Sequence, residues 1–312
     1  MNFLTVSAQQ FIEQTLRGIA VALPYAIVDY PNYANPGDAA IWSGARTALE
    51  TVTGCPPAYV STLRYFDARR CRDLVSGGTI FFLGGGNFGS LYEKHHRARL
   101  RVMREIADQK IVLLPLSVAE NSNHPPGPAQ VEDTRRTLGE CADLQVLSRE
   151  QKSRRLLREI YGVESILCPD TAHFFTTPAV TPAIDAVRLY RRDTEASRNA
   201  NFSDLPQQTT FDWSDDKSLI RTNRIGKLSN LLLSPRLRLI AFDHVARKKA
   251  EIASRILGRG RYIYTDRLHG VILGTVMERY VIASDNTTGK VGSYVRTWSE
   301  QLPDVSLVDT GL

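Results

Sequence analysis

The fold and function predicted for this chain depend most on one stretch, Thr265-Asp266-Arg267-Leu268-His269-Gly270. Aromatic and β-branched residues at positions 261–264 precede it and predict a buried strand, and apolar residues at helical spacing over 271–276 predict a helix. This order would place Arg267 and His269 at the carboxyl edge of a sheet, where open α/β folds bind ligands. A guanidinium and an imidazole there favour a phosphate or carboxylate ligand. The alternative is an arginine that extends from a helix start beside a buried histidine.

The composition describes a globular protein with a moderate excess of positive charge. The chain has 312 residues, of which 43% are hydrophobic and 23% charged, so it is long enough for two domains. A net charge of +6 is compatible with three classes of acidic partner, namely nucleic acid, an anionic membrane face and a phosphorylated substrate. The basic residues are dispersed over helix-like segments, and no zinc-finger or aromatic-basic motif occurs, so we expect no nucleic-acid partner.

The cysteines and the hydropathy pattern bear on location. Cys55, Cys71, Cys141 and Cys168 form no CxxC pair, which predicts free thiols. With no signal peptide evident, we expect a cytoplasmic protein in a reducing compartment. No apolar stretch approaches the roughly 18 residues that cross a bilayer, so any membrane association would be peripheral, at the inner face.

Strand-like and helix-like segments alternate along the chain, which predicts βαβ units and a mostly parallel sheet. Strand-like runs lie at 22–30, 58–61, 79–83, 111–116, 144–147 and 165–168. After a proline-containing linker at 176–182, further runs lie at 186–190, 238–242, 262–264 and 280–283, and a long mobile loop is expected at 194–215. We therefore predict an α/β fold of two Rossmann-like lobes with a cleft between them. Residues 1–177 would form the acceptor side and residues 183–312 the donor-anion side, with the last helix packing back on the first lobe.

A glycine-rich segment, Gly84-Gly85-Gly86-Asn87-Phe88-Gly89, directly follows the run at 79–83. Glycines after a strand let the backbone approach a ligand closely and present successive N–H groups to an anion. The spacing matches neither the dinucleotide fingerprint nor a P-loop. The alternative is a tight turn from a strand into a helix.

Three further motifs also follow predicted strands. In Asn35-Pro36-Gly37-Asp38, the aspartate suits a helix N-cap and also a general base that polarises a substrate hydroxyl. In Ser148-Arg149-Glu150, capping accounts for the serine and the glutamate but not for Arg149. Pro169-Asp170 follows a short strand. Because parallel strands end at the same edge, we expect these motifs to share one site.

These motifs together resemble the polysaccharide pyruvyl transferase family. The resemblance rests on Asn35-x-Gly37-Asp38-x-Ala40-Ile41, Gly84-Gly85-Gly86-Asn87, Ser148-Arg149-Glu150, Pro169-Asp170 and Arg267-Leu268-His269-Gly270, in the family's order over residues 30–290. It implies the two-lobed glycosyltransferase arrangement known as GT-B. It also implies transfer of the enolpyruvyl carbons of phosphoenolpyruvate to two hydroxyls of a sugar, which forms a cyclic pyruvate ketal. The family's Gln-x-x-Gly-Pro-like turn is replaced here by residues 114–120, which we expect to be a loop near the cleft that affects acceptor preference.

The resemblance and the chemistry together assign roles to ten residues. We predict catalytic roles for His269 as proton donor or phosphate contact, for Arg267 as anion ligand and for Asp38 as base. The predicted substrate-binding residues are Arg149, Asn35, Gly85, Gly86, Asn87, Asp170 and Gly270. We expect Arg149 to lie outside the core, so that its loss leaves the fold intact.

The resemblance requires no metal or cofactor, because arginines can neutralise the leaving phosphate. The expected partners are phosphoenolpyruvate and an oligosaccharide acceptor, with a lipid-linked acceptor left open, as is the oligomeric state. Two alternatives remain at this point. One is a nucleotide-sugar-dependent glycosyltransferase of the same two-lobed type, and the other is a non-catalytic binding protein for an anionic metabolite.

Overall fold

Two parallel sheets flanked by helices make up the fold in the computed structural model, which describes residues 6–120, 125–192, 210–232 and 234–308. The helices are α1 (Ala8–Gly18), α2 (Pro36–Thr53), α3 (Ala68–Leu74), α4 (Glu93–Glu105), α5 (Pro128–Gly139), α6 (Gln151–Tyr161), α7 (Lys217–Leu228), α8 (Pro235–Leu257), α9 (Leu268–Val276) and α10 (Lys290–Thr297). The strands are β1 (Tyr25–Val28), β2 (Tyr59–Val60), β3 (Thr79–Phe82), β4 (Gly85–Phe88), β5 (Lys110–Val118), β6 (Asp143–Ser148), β7 (Ile166–Leu167), β8 (Ile184–Leu189), β9 (Thr210–Phe211), β10 (Gly260–Thr265), β11 (Tyr280–Ser284) and β12 (Val305–Val308).

The first sheet has the strand order β2-β1-β3-β5-β6-β7, with β4 paired to β5, and the second has the order β12-β11-β10-β8-β9. Neighbouring strands are parallel throughout the described ranges. The predicted α/β fold with two Rossmann-like, mostly parallel sheets is confirmed. The strands β1 and β3 are buried along their whole length, as expected when helices cover both faces of a sheet. The predicted division at residues 177–183 stays a prediction.

A continuous apolar core joins the two sheets. At its centre, the Tyr30 ring stacks on Phe242 of α8 with centroids 3.8 Å apart, and Trp42 of α2 meets Tyr30 edge-on. The Trp42 indole N–H also donates to Asp243 at 2.8 Å. None of the helices in the described ranges is both long and apolar enough to cross a membrane.

Two predictions about the second sheet were wrong. Residues 238–242, expected to be a strand, lie inside α8, because Leu239, Phe242 and Ala246 are buried at helical spacing. Ser234 caps this helix and Pro235 begins it. The expected loop at 194–215 falls partly outside the described residues, but residues 210–215 form β9 and a short 3₁₀ helix.

Beside the cleft, the structure overturns one predicted loop and one alternative that the sequence left open. The strand predicted at 111–116 is confirmed, and it continues to Val118 in the nine-residue β5, so most of the loop expected at 114–120 is strand, and its positions from Ile111 onward are all buried. The glycine segment is not a turn into a helix either. Gly85 and Phe88 instead bound β4, which pairs with β5. A side chain at Gly84 would collide with the carbonyl oxygen of Pro115, and Gly85 has φ +105°, so the bulged approach to β5 requires glycine.

Candidate active site

A polar pocket lies where the carboxyl ends of both sheets face each other. Its lining residues are Asn35, Asp38, Gly86, Asn87, Tyr92, Arg149, Arg191, Trp213, Arg267, Leu268, His269 and Lys290. The structure therefore brings together seven of the ten residues named from the sequence, and Asp170 lies directly behind the wall.

Arg149 and Asp170 form a buried ion pair at the base of the pocket. Their side chains are 1% and 0% exposed, and Arg149 Nη1 donates to Asp170 Oδ2 at 2.7 Å. Arg149 Nε donates to Ser117 Oγ at 2.6 Å, and the indole of Trp298 donates to the Arg149 carbonyl at 2.7 Å. The expectation that Arg149 lies outside the core was wrong, because the segment after α10 covers this end of β6.

The Asp170 carboxylate also lies beside His269. His269 Nε2 is 3.6 Å from Asp170 Oδ2, which is too long for a hydrogen bond but close enough for an ion pair with a protonated imidazole. The other oxygen of Asp170 accepts from the Ala172 N–H at 2.8 Å. Burial alone would raise the pKa of the Asp170 carboxyl, but His269 and Arg149 together hold its pKa well below the ordinary value. Asp170 therefore stays ionised between Arg149 and His269.

The start of α2 contacts the His269 ring directly. A β-carbon on Gly37 would lie 2.5 Å from His269 Cγ and 2.7 Å from its Cβ, and closer still to Nδ1. Asn35 is the N-cap of this helix, since its Oδ1 accepts from the Gly37 N–H at 2.9 Å. Asp38 is thus not the cap that the sequence suggested. Its carboxylate accepts from Asn35 Nδ2 at 2.7 Å and faces the pocket.

The second sheet contributes Arg267 at the N-terminus of α9. Its Nη2 donates to Asp212 Oδ2 at 2.6 Å, and its side chain is mostly buried. The neighbouring carboxyl of Asp266 accepts from the Arg191 N–H at 2.9 Å, and burial raises its pKa to about 6. Gly270 lies against Thr265, where a side chain would collide, so here its lack of a side chain lets α9 pack on β10.

Lys290 is a pocket residue that the sequence analysis missed. Its side chain is almost fully buried at the start of α10. A side chain on Gly86 would come within 3.4 Å of Lys290 Nζ and 3.2 Å of Arg149 Nη2, so the bare backbone of Gly86 leaves room beside two cations. The sequence did contain a signal for this residue. Gly289 and Lys290 stand at the start of a helix that follows the strand-like run at 280–283, just as Arg267 stands at the start of the helix that follows its own strand.

The wall next to Gly86 is a hydrogen-bonded set of polar groups. Asn87 Nδ2 donates to Tyr33 Oη at 2.8 Å. Burial, followed by the nearby charge of Asp38, raises the pKa of Tyr33 well above its ordinary value, so it stays a phenol. Lys249 Nζ donates to the Tyr33 carbonyl at 2.9 Å, and burial lowers the pKa of this lysine to about 8.

Sequence and structure comparisons agree with one another. Over residues 35–288 the chain matches a family model described as polysaccharide pyruvyl transferase. It is 26% identical over 316 aligned residues to EpsO of Bacillus subtilis, provisionally named a pyruvyl transferase, and the match covers 95% of this chain and 93% of that protein. It is 24% identical to pyruvyl transferase 1 of Schizosaccharomyces pombe, covering 88% of this chain and 69% of that protein. The crystal structure of an uncharacterized Klebsiella pneumoniae protein has a TM-score of 0.62 at 15% identity, covers 95% of this chain and 96% of that one, and shows the fold alone.

Proposed function

Because the chain belongs to the polysaccharide pyruvyl transferase family, we propose that it transfers the pyruvyl group of phosphoenolpyruvate to a sugar. The product is a cyclic pyruvate ketal that bridges two hydroxyls of an exopolysaccharide or cell-surface glycan precursor. The four free cysteines support a reducing cytoplasmic site of action.

One observation carries this proposal, namely the convergence of cationic groups from both sheets on one small pocket that also holds a carboxylate. Arg149, Arg267 and Lys290 line it together with His269 and Asp38. Phosphoenolpyruvate carries a phosphate and a carboxylate, so its site needs several cations in a fixed geometry. The N-terminus of α9 adds a positive dipole end.

The chemistry divides between His269 and Asp38. Asp38 takes the proton of the first sugar hydroxyl as its oxygen bonds to C2 of phosphoenolpyruvate, and His269 gives a proton to the methylene carbon. The C2–O bond to phosphate then breaks, which leaves an oxocarbenium-like centre and inorganic phosphate held by Arg267 and Lys290. The second hydroxyl adds to C2 and gives its proton to the imidazole of His269, which closes the ketal and restores the acid, and Asp38 passes its proton to the released phosphate.

The decisive experiment measures release of inorganic phosphate from phosphoenolpyruvate in the presence of glycan extracts. The wild-type protein should release phosphate only when an acceptor is present, and both Asp38→Asn and His269→Gln should lower the rate on the order of 10²–10⁴-fold. Thermal shift with phosphoenolpyruvate and with a panel of sugar nucleotides runs in parallel. Stabilisation by sugar nucleotides alone would replace the proposal with a glycosyltransferase. Stabilisation by phosphoenolpyruvate without turnover on any extract would leave only a binding protein.

A further inference from the structure

The segment from Lys217 to Phe242, which includes α7 and the start of α8, has an unusual charge distribution. It contains six lysines and arginines and no aspartate or glutamate, so it carries a charge equal to the net +6 of the whole chain. Along the sequence the basic residues look dispersed over helix-like segments. The fold instead brings this run together in one helical hairpin, because α7 packs against α8.

Large aliphatic side chains project from the end of this hairpin into solvent. Leu228, Leu231, Leu237 and Ile240 are between 55% and 68% exposed, although they lie within thirteen positions of one another. Scattered exposed leucines are ordinary on soluble proteins, but a cluster of this kind marks an interaction surface. The α7–α8 tip is defined here as these four side chains with the exposed cations Arg224, Lys227 and Arg236.

The α7–α8 tip sits at the same edge of the first sheet as the pocket. Asn230 Oδ1 accepts from the Thr62 hydroxyl at 3.4 Å, and Arg238 Nη1 donates to the Val60 carbonyl at 3.5 Å. Both contacts are to the carboxyl end of β2, and the strands of this sheet are parallel. Tyr65, 43% exposed, follows on the loop after β2, and its N–H donates to the same Thr62 hydroxyl at 3.3 Å.

We propose that the α7–α8 tip docks on the anionic face of a lipid bilayer and holds the pocket edge of the molecule toward it. Aliphatic side chains that enter the headgroup region together with a rim of lysine and arginine are what binding to anionic lipid requires. A second copy of the chain fits the surface poorly, because it would bring two sets of like charges together. This inference does not depend on the proposed reaction, since vesicle binding needs no substrate.

Sedimentation with phosphatidylcholine vesicles that contain about one-third phosphatidylglycerol tests the proposal, with pure phosphatidylcholine vesicles as the neutral control. The wild-type protein should bind the anionic vesicles at low salt and bind the neutral ones weakly. Leu228→Ser with Leu231→Ser should weaken binding by about tenfold or more through lost insertion. Arg224→Gln, Lys227→Gln and Arg236→Gln together should weaken it on the order of a hundredfold at low salt and remove most of the salt dependence.

Matched controls are available elsewhere on the surface. Arg154→Gln, Arg155→Gln and Arg158→Gln remove three exposed arginines from α6, and Ile166→Ser removes a half-exposed aliphatic side chain from β7. Neither control should change vesicle binding. The proposal fails if the wild-type protein does not bind anionic vesicles, or if the control substitutions reduce binding as much as the tip substitutions do. It also fails if the tip variants change only the oligomeric state measured by gel filtration, because the surface then contacts a second copy of the chain.

Discussion

Replacing Gly37 by alanine would test whether the position of His269 matters to the chemistry. A β-carbon at position 37 would lie 2.5 Å from His269 Cγ, whereas ordinary contacts begin at 3.4 Å. The imidazole must therefore move by about 1 Å, and a misplacement of that size typically costs about a hundredfold in rate. Because the collision includes the Cβ atom of His269, rotation of the ring alone cannot relieve it. We expect kcat for phosphate release from phosphoenolpyruvate to fall about a hundredfold.

The assay compares Gly37→Ala with Gly18→Ala, in which the new methyl group has no neighbour within 4 Å. The control should keep the wild-type kcat and melting temperature. In Gly37→Ala, kcat should fall much further than the fraction of folded protein, as circular dichroism and the melting curve will report. A kcat within a few fold of wild type would refute both the contact and the role given to His269.

Three further predictions follow from the buried charges. Arg149→Met leaves Asp170 without its partner and should cost about 3–5 kcal/mol of the free energy of unfolding, measured by denaturant titration. The double variant with Asp170→Asn should recover part of this loss, and Arg154→Met, at an exposed position, should stay within about 0.5 kcal/mol of wild type. Because the pKa of Asp170 is held below its ordinary 3.8, its contribution to stability is present above that pH and should be lost as the pH falls further. Thermal melts at acid pH should show this decline, and Asp170→Asn should flatten it. Arg267→Lys keeps the charge but loses the planar fork that also reaches Asp212, so kcat/KM for phosphoenolpyruvate should fall about tenfold or more. An unchanged kcat/KM would show that a point charge is enough there.

The sequence could predict the edge on which the pocket lies, since that depends on local order. Asp38, Arg149 and His269 each follow a strand, and parallel strands bring such positions together wherever they stand in the chain. The burial of Arg149 could not be predicted in this way. Its covering group, Trp298, comes from a segment 149 positions away, and only tertiary packing connects the two.

The errors in the second sheet have a related physical cause. The five residues at 238–242 are mostly apolar, and a run that short fits a strand or one buried turn of helix equally well. Only the longer pattern, from Ser234 as cap to Leu257, identifies the helix. Around Gly85 the sequence left a turn open as an alternative and did not predict β4, because a bulged strand and a turn both need glycine.

The contact of Tyr30 and Trp42 with Phe242 bears on how such enzymes can recombine. In sequence, the linker at 176–182 looks like the natural point at which to exchange the two halves between relatives. The packing of the two halves shows that the linker is not such a point. Helix α8 comes from the second half, yet its Phe242 lies in the apolar core against residues of the first half. In a hybrid joined at the linker, α8 would carry side chains that pack against the first half of a different protein. Exchange of halves between relatives therefore requires α2 and α8 to change together.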